Sequence, residues 1–339
     1  MQNERINKIN EVTVNDTNNA MNGGIAMNTK TNSIEVFAET VKAAVEDALN
    51  ENVEVKIERI TKNNGVELAA LIIRDDEESI SPTIYLDKLF ERYLTGESSV
   101  ESICDSVLDI YRNCDKPDLD SISLFDYEAC KDKLFFKLVS AERNQHLLDT
   151  VPSVNVCGDL MMTFHVLISK DSTGVQSVAV KTDLANTWGV SANELQELAV
   201  WNAPRLFRGK IRSMTSVLMD FFCDSLDEAE CSNEFFDMMV DSNDVMPMYI
   251  CTNDCGCFGA GAIMYPEFLK EFANRIGSGF YILPSSIHET ILVPLSGDMD
   301  VEELRNMVQE INMEHVADVD VLTDEVYLYL MGEDKVEMA

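Results

Sequence analysis

The sequence lacks long apolar segments and is poor in basic residues. No stretch approaches the roughly 20 apolar residues of a membrane-spanning helix, and the N-terminal region has no apolar core of a secretory signal peptide. Lysine and arginine number 26 against 60 aspartates and glutamates, which gives a formal net charge of -34. This excess of negative charge argues against direct contact with nucleic-acid phosphates, and against a membrane-bound protein that uses anionic lipid.

The cysteine content argues against a disulfide-stabilised secreted protein. Nine cysteines, an odd number, are scattered from Cys104 to Cys257 in a chain of 339 residues. Free thiols are typical of proteins in a reducing compartment. We therefore expect a soluble protein of the cytoplasm, and the absence of a cofactor fingerprint predicts that it uses no cofactor.

Three of the cysteines lie close together in the segment CTNDCGC. Cys251, Cys255 and Cys257 would be able to supply three sulfur ligands to a metal ion, with Asp254 or a distant His165 or His288 as the fourth. Structural zinc sites usually use two separated cysteine pairs, and the sequence has no second pair. We therefore predict no metal site. A redox-active pair of thiols is a further alternative. The simpler interpretation is that Cys251 is a buried free thiol at the end of an apolar strand.

Apolar periodicity divides the chain into three parts. Residues 1–31 have only isolated apolar positions and are predicted to form a flexible tail. Residues 32–113 are predicted to form a helix, a hairpin and two further helices, and residues 124–339 a larger α+β region. The larger region is expected to contain strands near residues 156–182, 247–264, 280–295 and 326–331.

Several individual elements carry clear signals. Alternating apolar residues on both sides of NNG, at positions 63–65, predict a β-hairpin. Ser81 and Pro82 predict the start of a helix that Gly96 ends. A helix is also predicted near residues 125–140, and GAGAIMY after MYICTN is predicted to be a strand. Hairpins mixed with helices, without a regular strand–helix alternation, favour an α+β fold with mainly antiparallel strands.

A set of distinctive segments spans most of residues 34–331. It comprises ITKNNGVEL, SPTIYLDKLFERYLTG, YILPSSIHETILVPL, MYICTN, GAGAIMY and AVWNAPRLF. Together these segments resemble an uncharacterised family of bacterial proteins, a domain of unknown function. The resemblance implies an intracellular bacterial protein with no established activity or ligand, and it adds no catalytic residues.

The segment PSSIHET is the candidate for a polar site. Ser285, Ser286, His288 and Glu289 include the components of nucleophilic acyl transfer. On one extended segment Ser286 and His288 share a face, whereas Glu289 points to the opposite face and would not orient the imidazole. Pro284 and the two serines also fit a polar turn between two strands, which is the favoured interpretation.

Acidic and bulky apolar residues alternate from Asp220 to Asp244. Phe221, Phe235 and Phe236 in this stretch are predicted to form an adaptable surface for a basic protein partner. Two amphipathic helices with solvated acidic faces are the alternative. The sequence thus favours a non-enzymatic protein that acts through protein contacts, and a hydrolase or transferase centred on Ser286 and His288 is the second hypothesis.

Overall fold

The structure is a computed structural model that describes residues 33–49, 53–75, 83–113, 124–171, 174–225, 247–295 and 299–339. These residues form an α+β fold that contains three antiparallel sheets. The helices are α1 (Ile34–Ala48), α2 (Asp87–Thr95), α3 (Val100–Asn113), α4 (Tyr127–Cys130), α5 (Gln145–Leu148), α6 (Thr182–Trp188), α7 (Ala192–Leu206), α8 (Met214–Ser225), α9 (Phe268–Ile276) and α10 (Val301–His315). The strands are β1 (Val53–Thr61), β2 (Glu67–Asp75), β3 (Thr83–Tyr85), β4 (Leu134–Ser140), β5 (Ser153–Cys157), β6 (Leu160–Asp171), β7 (Gly174–Ala179), β8 (Gly209–Ser213), β9 (Tyr249–Asn253), β10 (Phe280–Pro284), β11 (Thr290–Pro294), β12 (Tyr327–Tyr329) and β13 (Val336–Met338).

The first sheet has the order β1-β2-β3 and contains the predicted hairpin. Strands β1 and β2 pair along their whole length, and the NNG turn joins them, as the sequence predicts. Asn64 in the turn has a φ of 60°, a left-handed conformation that asparagine adopts more readily than most residues. Helix α1 buries Phe37, Val41 and Val45 in an apolar core that β1, β2 and α3 complete.

The predicted helix after Pro82 begins later than expected. Thr83–Tyr85 forms β3, which pairs with β2, and α2 begins at Asp87. The strand ends at Tyr85, and Leu86, the N-cap residue of α2, still donates its backbone N–H to Ala69 O at 2.8 Å. The end of the helix is as predicted, since Gly96 adopts a left-handed conformation there. Ser81 and Pro82 themselves lie outside the described residues.

The second sheet contains a strand in a segment for which the prediction of a helix is wrong. Leu134–Ser140 is β4, and only Tyr127–Cys130 is α-helical within the predicted range 125–140. Six of the seven residues of β4 are buried, so the strand has almost no polar alternation, and a short apolar run of this kind does not distinguish a strand from a helix. Strand β4 pairs with β6, which also pairs with β5 and β7.

The third sheet has the order β13-β12-β10-β11-β9-β8 and shares the main apolar core with the second sheet. The prediction of a strand at GAGAIMY is wrong, because Gly259–Met264 forms a 3-10 helix. Its backbone packs directly against β9 and the turn after β10: a Cβ atom on Gly259 would lie 2.2 Å from Thr252 Oγ1 and 2.5 Å from His288 O. Glycine at this position therefore permits a close approach of backbones.

The described helices include none that is both long and apolar enough to cross a membrane. The predicted tail, residues 1–31, lies outside the described residues. The division into residues 32–113 and 124–339 stays a prediction.

Candidate functional site

The turn predicted to be polar lies beside two loops that come from distant parts of the sequence. Within this turn Ile287 donates its backbone N–H to Asp320 O at 2.8 Å, and His288 Nδ1 accepts a hydrogen bond from the Phe258 N–H at 3.1 Å. Thr252 Oγ1 donates to His288 O at 2.8 Å. We call this region the turn cluster; it comprises residues 253–258, 285–289 and 317–321 together with the NNG turn at residues 63–65.

Asparagine side chains connect the NNG turn to the other segments of the turn cluster. Asn64 Nδ2 donates to Asp318 O and to Val321 O, both at 2.7 Å. The backbone N–H of Asn64 donates to Asn144 Oδ1, and Asn144 Nδ2 donates to Asn64 Oδ1, both at 2.8 Å. The hairpin of the N-terminal part is therefore hydrogen-bonded to the loop that also contacts His288.

The hydrogen bonds of Ser285 and Ser286 are made within the turn itself. The backbone N–H groups of Ser285 and Ser286 donate to Glu289 O at 3.3 and 3.1 Å, and Ser286 Oγ accepts from the His288 N–H at 3.0 Å. Within the described part of the chain, the Ser286 hydroxyl makes no hydrogen bond to the His288 imidazole. The hypothesis of a Ser286 nucleophile stays a prediction, and it would require a rearrangement of this turn.

The His288 imidazole holds two loops in place. Its Nδ1 accepts from Phe258, and its Nε2 lies 3.4 Å from Asp320 Oδ1. A neutral imidazole that accepts at Nδ1 carries its proton on Nε2, where it faces the carboxylate. The lone pair that a general base would use is thus already engaged by a backbone amide.

The three cysteines of CTNDCGC occupy different environments. Cys251 is fully buried in β9, and burial raises the pKa of its thiol to about 12. Cys255 Sγ donates to Asn253 Oδ1 at 3.3 Å, and burial raises the pKa of Cys257. Among the described residues, no three histidine, cysteine, aspartate or glutamate side chains are arranged to hold a metal ion. Cys251, Cys255 and Cys257 therefore form no ready-made ligand set in that part of the chain.

Lys137 lies beside the turn cluster and was not recognised in the sequence. It is on the face of β4 opposite the main core, and its Nζ lies 3.7 Å from the centroid of the Phe258 ring and 5.9 Å from that of Phe135. Burial, and then the positive charge of Lys62, lower the pKa of Lys137 to about 8. The only sequence signal was a lysine in the middle of the apolar run LFFKLVS.

His165 lies on the strand next to Lys137. In the pairing of β4 with β6, His165 is opposite Phe135 and Lys137 is opposite Thr163, so His165 and Lys137 are diagonal neighbours on one face. His165 Nε2 lies 3.2 Å from Thr163 Oγ1. Burial, and then the charge of Lys137, hold the pKa of His165 well below its usual value. The pair therefore combines a neutral imidazole with an amine whose protonated form is disfavoured.

The predicted partner surface falls largely outside the region that the structure describes. Phe235 and Phe236 lie outside the described residues, and for Phe221 only the backbone, in α8, is described. This surface stays a prediction.

Comparison with known proteins identifies a family for this chain. No curated protein matches the chain, and no solved structure matches it either. A family model described as a family of unknown function, DUF5688, matches residues 34–330. The match covers the NNG hairpin, and it covers β10 and β11, the strands on either side of the turn at residues 285–289. The chain therefore belongs to the DUF5688 family, a family of unknown function.

Proposed function

We propose that this protein acts by binding a basic protein partner, with Trp201 as an anchor of the contact. The observation that carries the proposal is the 70% exposure of Trp201 on α7. The second tryptophan, Trp188, is packed instead: its Nε1 donates to Leu124 O at 3.0 Å and its ring lies 5.6 Å from that of Tyr127. Tryptophan is among the residues most enriched at the energetic centres of protein interfaces.

A shallow cleft beside Trp201 supports a basic rather than an acidic partner. Its volume is about 380 Å³, and it is lined by Gln196, Glu197, Val200, Trp201 and Pro266. Glu197 precedes Trp201 by one helical turn, so a carboxylate and an indole ring lie side by side. An arginine or lysine of the partner that enters the cleft gains an ion pair with Glu197 and a cation–π contact with Trp201. The nearby cation of Arg205 lies one turn after Trp201 on α7, and its guanidinium is hydrogen-bonded to Asn202 Oδ1 at 2.5 Å.

The charge of the whole chain supports the same choice of partner. A net charge of -34 produces a negative potential that attracts positively charged proteins and accelerates their association. The excess of acid also disfavours acidic partners, because like charges that meet at an interface cost free energy. Specificity would then come from the cleft and the rate of encounter from the overall charge.

We also place this binding activity in the cytoplasm. Five cysteines of the described residues have free thiols, namely Cys104, Cys157, Cys251, Cys255 and Cys257. Burial raises the thiol pKa of several of them, including Cys104 and Cys157. Unpaired thiols of this kind are typical of proteins kept under reducing conditions, which supports the proposed location.

The test uses an arginine-rich peptide as a defined basic ligand and a glutamine peptide of equal length as the uncharged comparison. We expect Trp201→Ala and Glu197→Gln to weaken binding of the arginine-rich peptide about tenfold or more, which corresponds to about 1.4 kcal/mol. Glu310→Gln is the matched control, because Glu310 is exposed on α10 and its substitution changes the net charge by the same amount. Binding is measured by titration calorimetry with the full chain.

The same variants test the proposal in the cell of origin. A tagged wild-type chain should retain a basic protein that Trp201→Ala loses and Glu310→Gln keeps, with retention measured by mass spectrometry at low salt. Equal weakening by Glu197→Gln and Glu310→Gln would show that diffuse charge, and not the cleft, determines binding. Full retention by Trp201→Ala would contradict the role of the cleft.

A further inference from the structure

A second cleft lies at the end of α9, away from the cleft beside Trp201. Pro266, which lines the Trp201 cleft, precedes α9, whereas the second cleft involves the last two residues of this helix. Its volume is about 550 Å³, and its lining includes Ile211, Ser213, Tyr249, Arg275, Ile276 and Pro294. Sites for small ligands typically have volumes of several hundred Å³ and a mainly apolar lining with a few polar groups. We call this region the Arg275 cleft.

Strand pairing and the length of α9 explain where this cleft lies. Tyr249, the first residue of β9, is paired with Ser213, the last residue of β8, so the two side chains share one face of the third sheet. Helix α9 packs on this face, where the Phe272 ring lies 5.0 Å from the Tyr249 ring. The helix ends at Ile276, and Gly277 after it adopts a left-handed conformation. The cleft therefore lies between the last turn of α9 and the ends of β8 and β9.

Arg275 is the charged residue of this lining. Its guanidinium carbon lies 5.1 Å from the centroid of the Phe272 ring, and Phe272 is buried, so one fixed ring contacts both Arg275 and Tyr249. Arg275 makes no ion pair with any carboxylate that the structure describes, unlike other arginines, among them Arg143, Arg212 and Arg305. In a chain with 60 acidic residues, a guanidinium without such a partner is available to a carboxylate from outside.

We propose that the Arg275 cleft binds a small monocarboxylic acid, whose carboxylate pairs with Arg275 and whose apolar body lies against Ile211, Tyr249 and Pro294. A guanidinium group can bind a carboxylate through two parallel N–H···O hydrogen bonds, which fixes the orientation of the ligand. Burial of the apolar body against the apolar lining adds favourable free energy. The inference concerns a different surface from the Trp201 cleft and does not depend on the proposed function.

The charge of the chain favours a ligand with a single negative charge. A net charge of -34 repels anions, and a doubly charged phosphonate is repelled about twice as strongly as a carboxylate. The single guanidinium of the cleft compensates one negative charge. An uncharged compound of the same shape avoids the repulsion but loses the ion pair. Outside the Arg275 cleft, the negative potential makes the uncharged compound the better ligand, so preference for the acid is specific to this site.

The experiment compares ligands that share one apolar body. Phenylacetate is the acid, phenylacetamide is the uncharged comparison and benzylphosphonate is the comparison with higher charge. Binding to the full chain is measured by titrations that follow the ligand signals in NMR spectra. We expect phenylacetate to bind at least about tenfold more tightly than phenylacetamide, and more tightly than benzylphosphonate. Octanoate, an aliphatic acid, should bind as well, and the tighter of the two acids shows whether the cleft prefers an aromatic or an aliphatic body.

Arg275→Gln is the variant that tests the ion pair, and Arg92→Gln is its matched control. Both arginines are exposed in the last turn of a nine-residue helix that a left-handed glycine follows, and both substitutions change the net charge equally. We expect Arg275→Gln to weaken phenylacetate binding about tenfold and to leave phenylacetamide binding unchanged, which a loss of folding would not do. Arg92→Gln should change neither affinity by more than about twofold.

The titrations of the wild-type chain decide the proposal even if a variant fails to fold. Phenylacetate that binds no more tightly than phenylacetamide would overturn it, and so would the absence of binding by both acids. Tighter binding of benzylphosphonate would overturn the monocarboxylic acid as the ligand class. Equal weakening by Arg275→Gln and Arg92→Gln would place the acid outside the Arg275 cleft. Trp201→Ala should leave these affinities unchanged, so a failure of the peptide-binding experiment is distinguishable from a failure here.

Discussion

Lys137 places a positive charge in a partly buried position, and the free-energy cost of that charge depends on pH. Its pKa falls from the ordinary 10.5 to about 8 in the folded protein, first because of burial and then because of Lys62. Between these two values the unfolded chain binds the proton and the folded chain does not, so the free energy of unfolding rises with pH in this window. The cost is fully present below pH 8 and absent above about pH 10.5.

We therefore predict that Lys137→Met stabilises the protein near pH 7. Because the side chain is partly solvated and contacts an aromatic ring, the expected gain is about 1–3 kcal/mol, less than the whole pKa shift would give. The gain should shrink as pH rises from 8 to 10. The measurement is urea unfolding at pH 7, 8, 9 and 10.

Lys88→Met is the matched control for this prediction. Lys88 is exposed on α2, so the same substitution there should change the free energy of unfolding by less than about 0.5 kcal/mol at every pH. A loss of stability in Lys137→Met at pH 7 would show that the contact between Lys137 and Phe258 outweighs the cost of burying the charge.

At the scale of residues, the sequence located the polar region but not its most unusual side chain. Ser285, Ser286 and His288 lie within four positions of one another, and these polar residue types predict a polar turn, which the structure contains. The environment of Lys137 depends on Phe258, more than a hundred positions away, and on Lys62 from the hairpin. A low pKa of this kind follows from tertiary burial, and no local pattern encodes it.

At the scale of elements, the NNG turn is predicted to stabilise the loop at residues 317–321. Asn64→Gly keeps the left-handed backbone but removes the two hydrogen bonds to Asp318 O and Val321 O, together with the bond from Asn144. We expect a loss of about 1–3 kcal/mol. Asn64→Asp should cost more, because it places a carboxylate against two carbonyl oxygens.

Hydrogen exchange separates this effect from a general loss of stability. In Asn64→Gly the amide of Ile287, which donates to Asp320 O, should exchange faster, whereas the amides of β6 should not. Unchanged exchange at Ile287 would show that the loop keeps its position without the asparagine side chain. Faster exchange throughout β6 would show that the whole fold, and not the loop alone, is weakened.

The elements that the sequence predicted and those it missed differ in their local signals. The NNG hairpin and the end of α2 at Gly96 each depend on residues a few positions apart, and both are present. Strand β4 depends on burial of both its faces. The 3-10 helix at Gly259–Met264 depends on close packing, in which a Cβ atom on Gly261 would lie 3.1 Å from the Phe136 ring.

Over the full chain, the net charge follows directly from the composition, whereas the arrangement of the segments in space does not. Asn64 and Val321 are 257 positions apart and are joined by a hydrogen bond of 2.7 Å. Such a contact requires the N-terminal hairpin to dock on the loop after α10, and nothing in either segment alone specifies the other. Net charge, in contrast, is a sum over the sequence and is independent of the fold.

The net charge of -34 leads to a prediction about salt. Like charges on the folded protein repel one another, and salt shortens the range of that repulsion from about 30 Å at 0.01 M to about 8 Å at 0.15 M. We expect the melting temperature to rise by a few degrees between these two concentrations, in calorimetry with sodium chloride and, as a control for specific sodium binding, choline chloride. The ion pairs of the exposed surface lose little, because such pairs contribute at most about 1 kcal/mol each.

The same screening should weaken binding of the arginine-rich peptide, so that salt stabilises the fold and dissociates the complex. A melting temperature that falls with salt would mean that attractive ion pairs, such as those of Arg305 with Glu302 and Glu325, outweigh the repulsion.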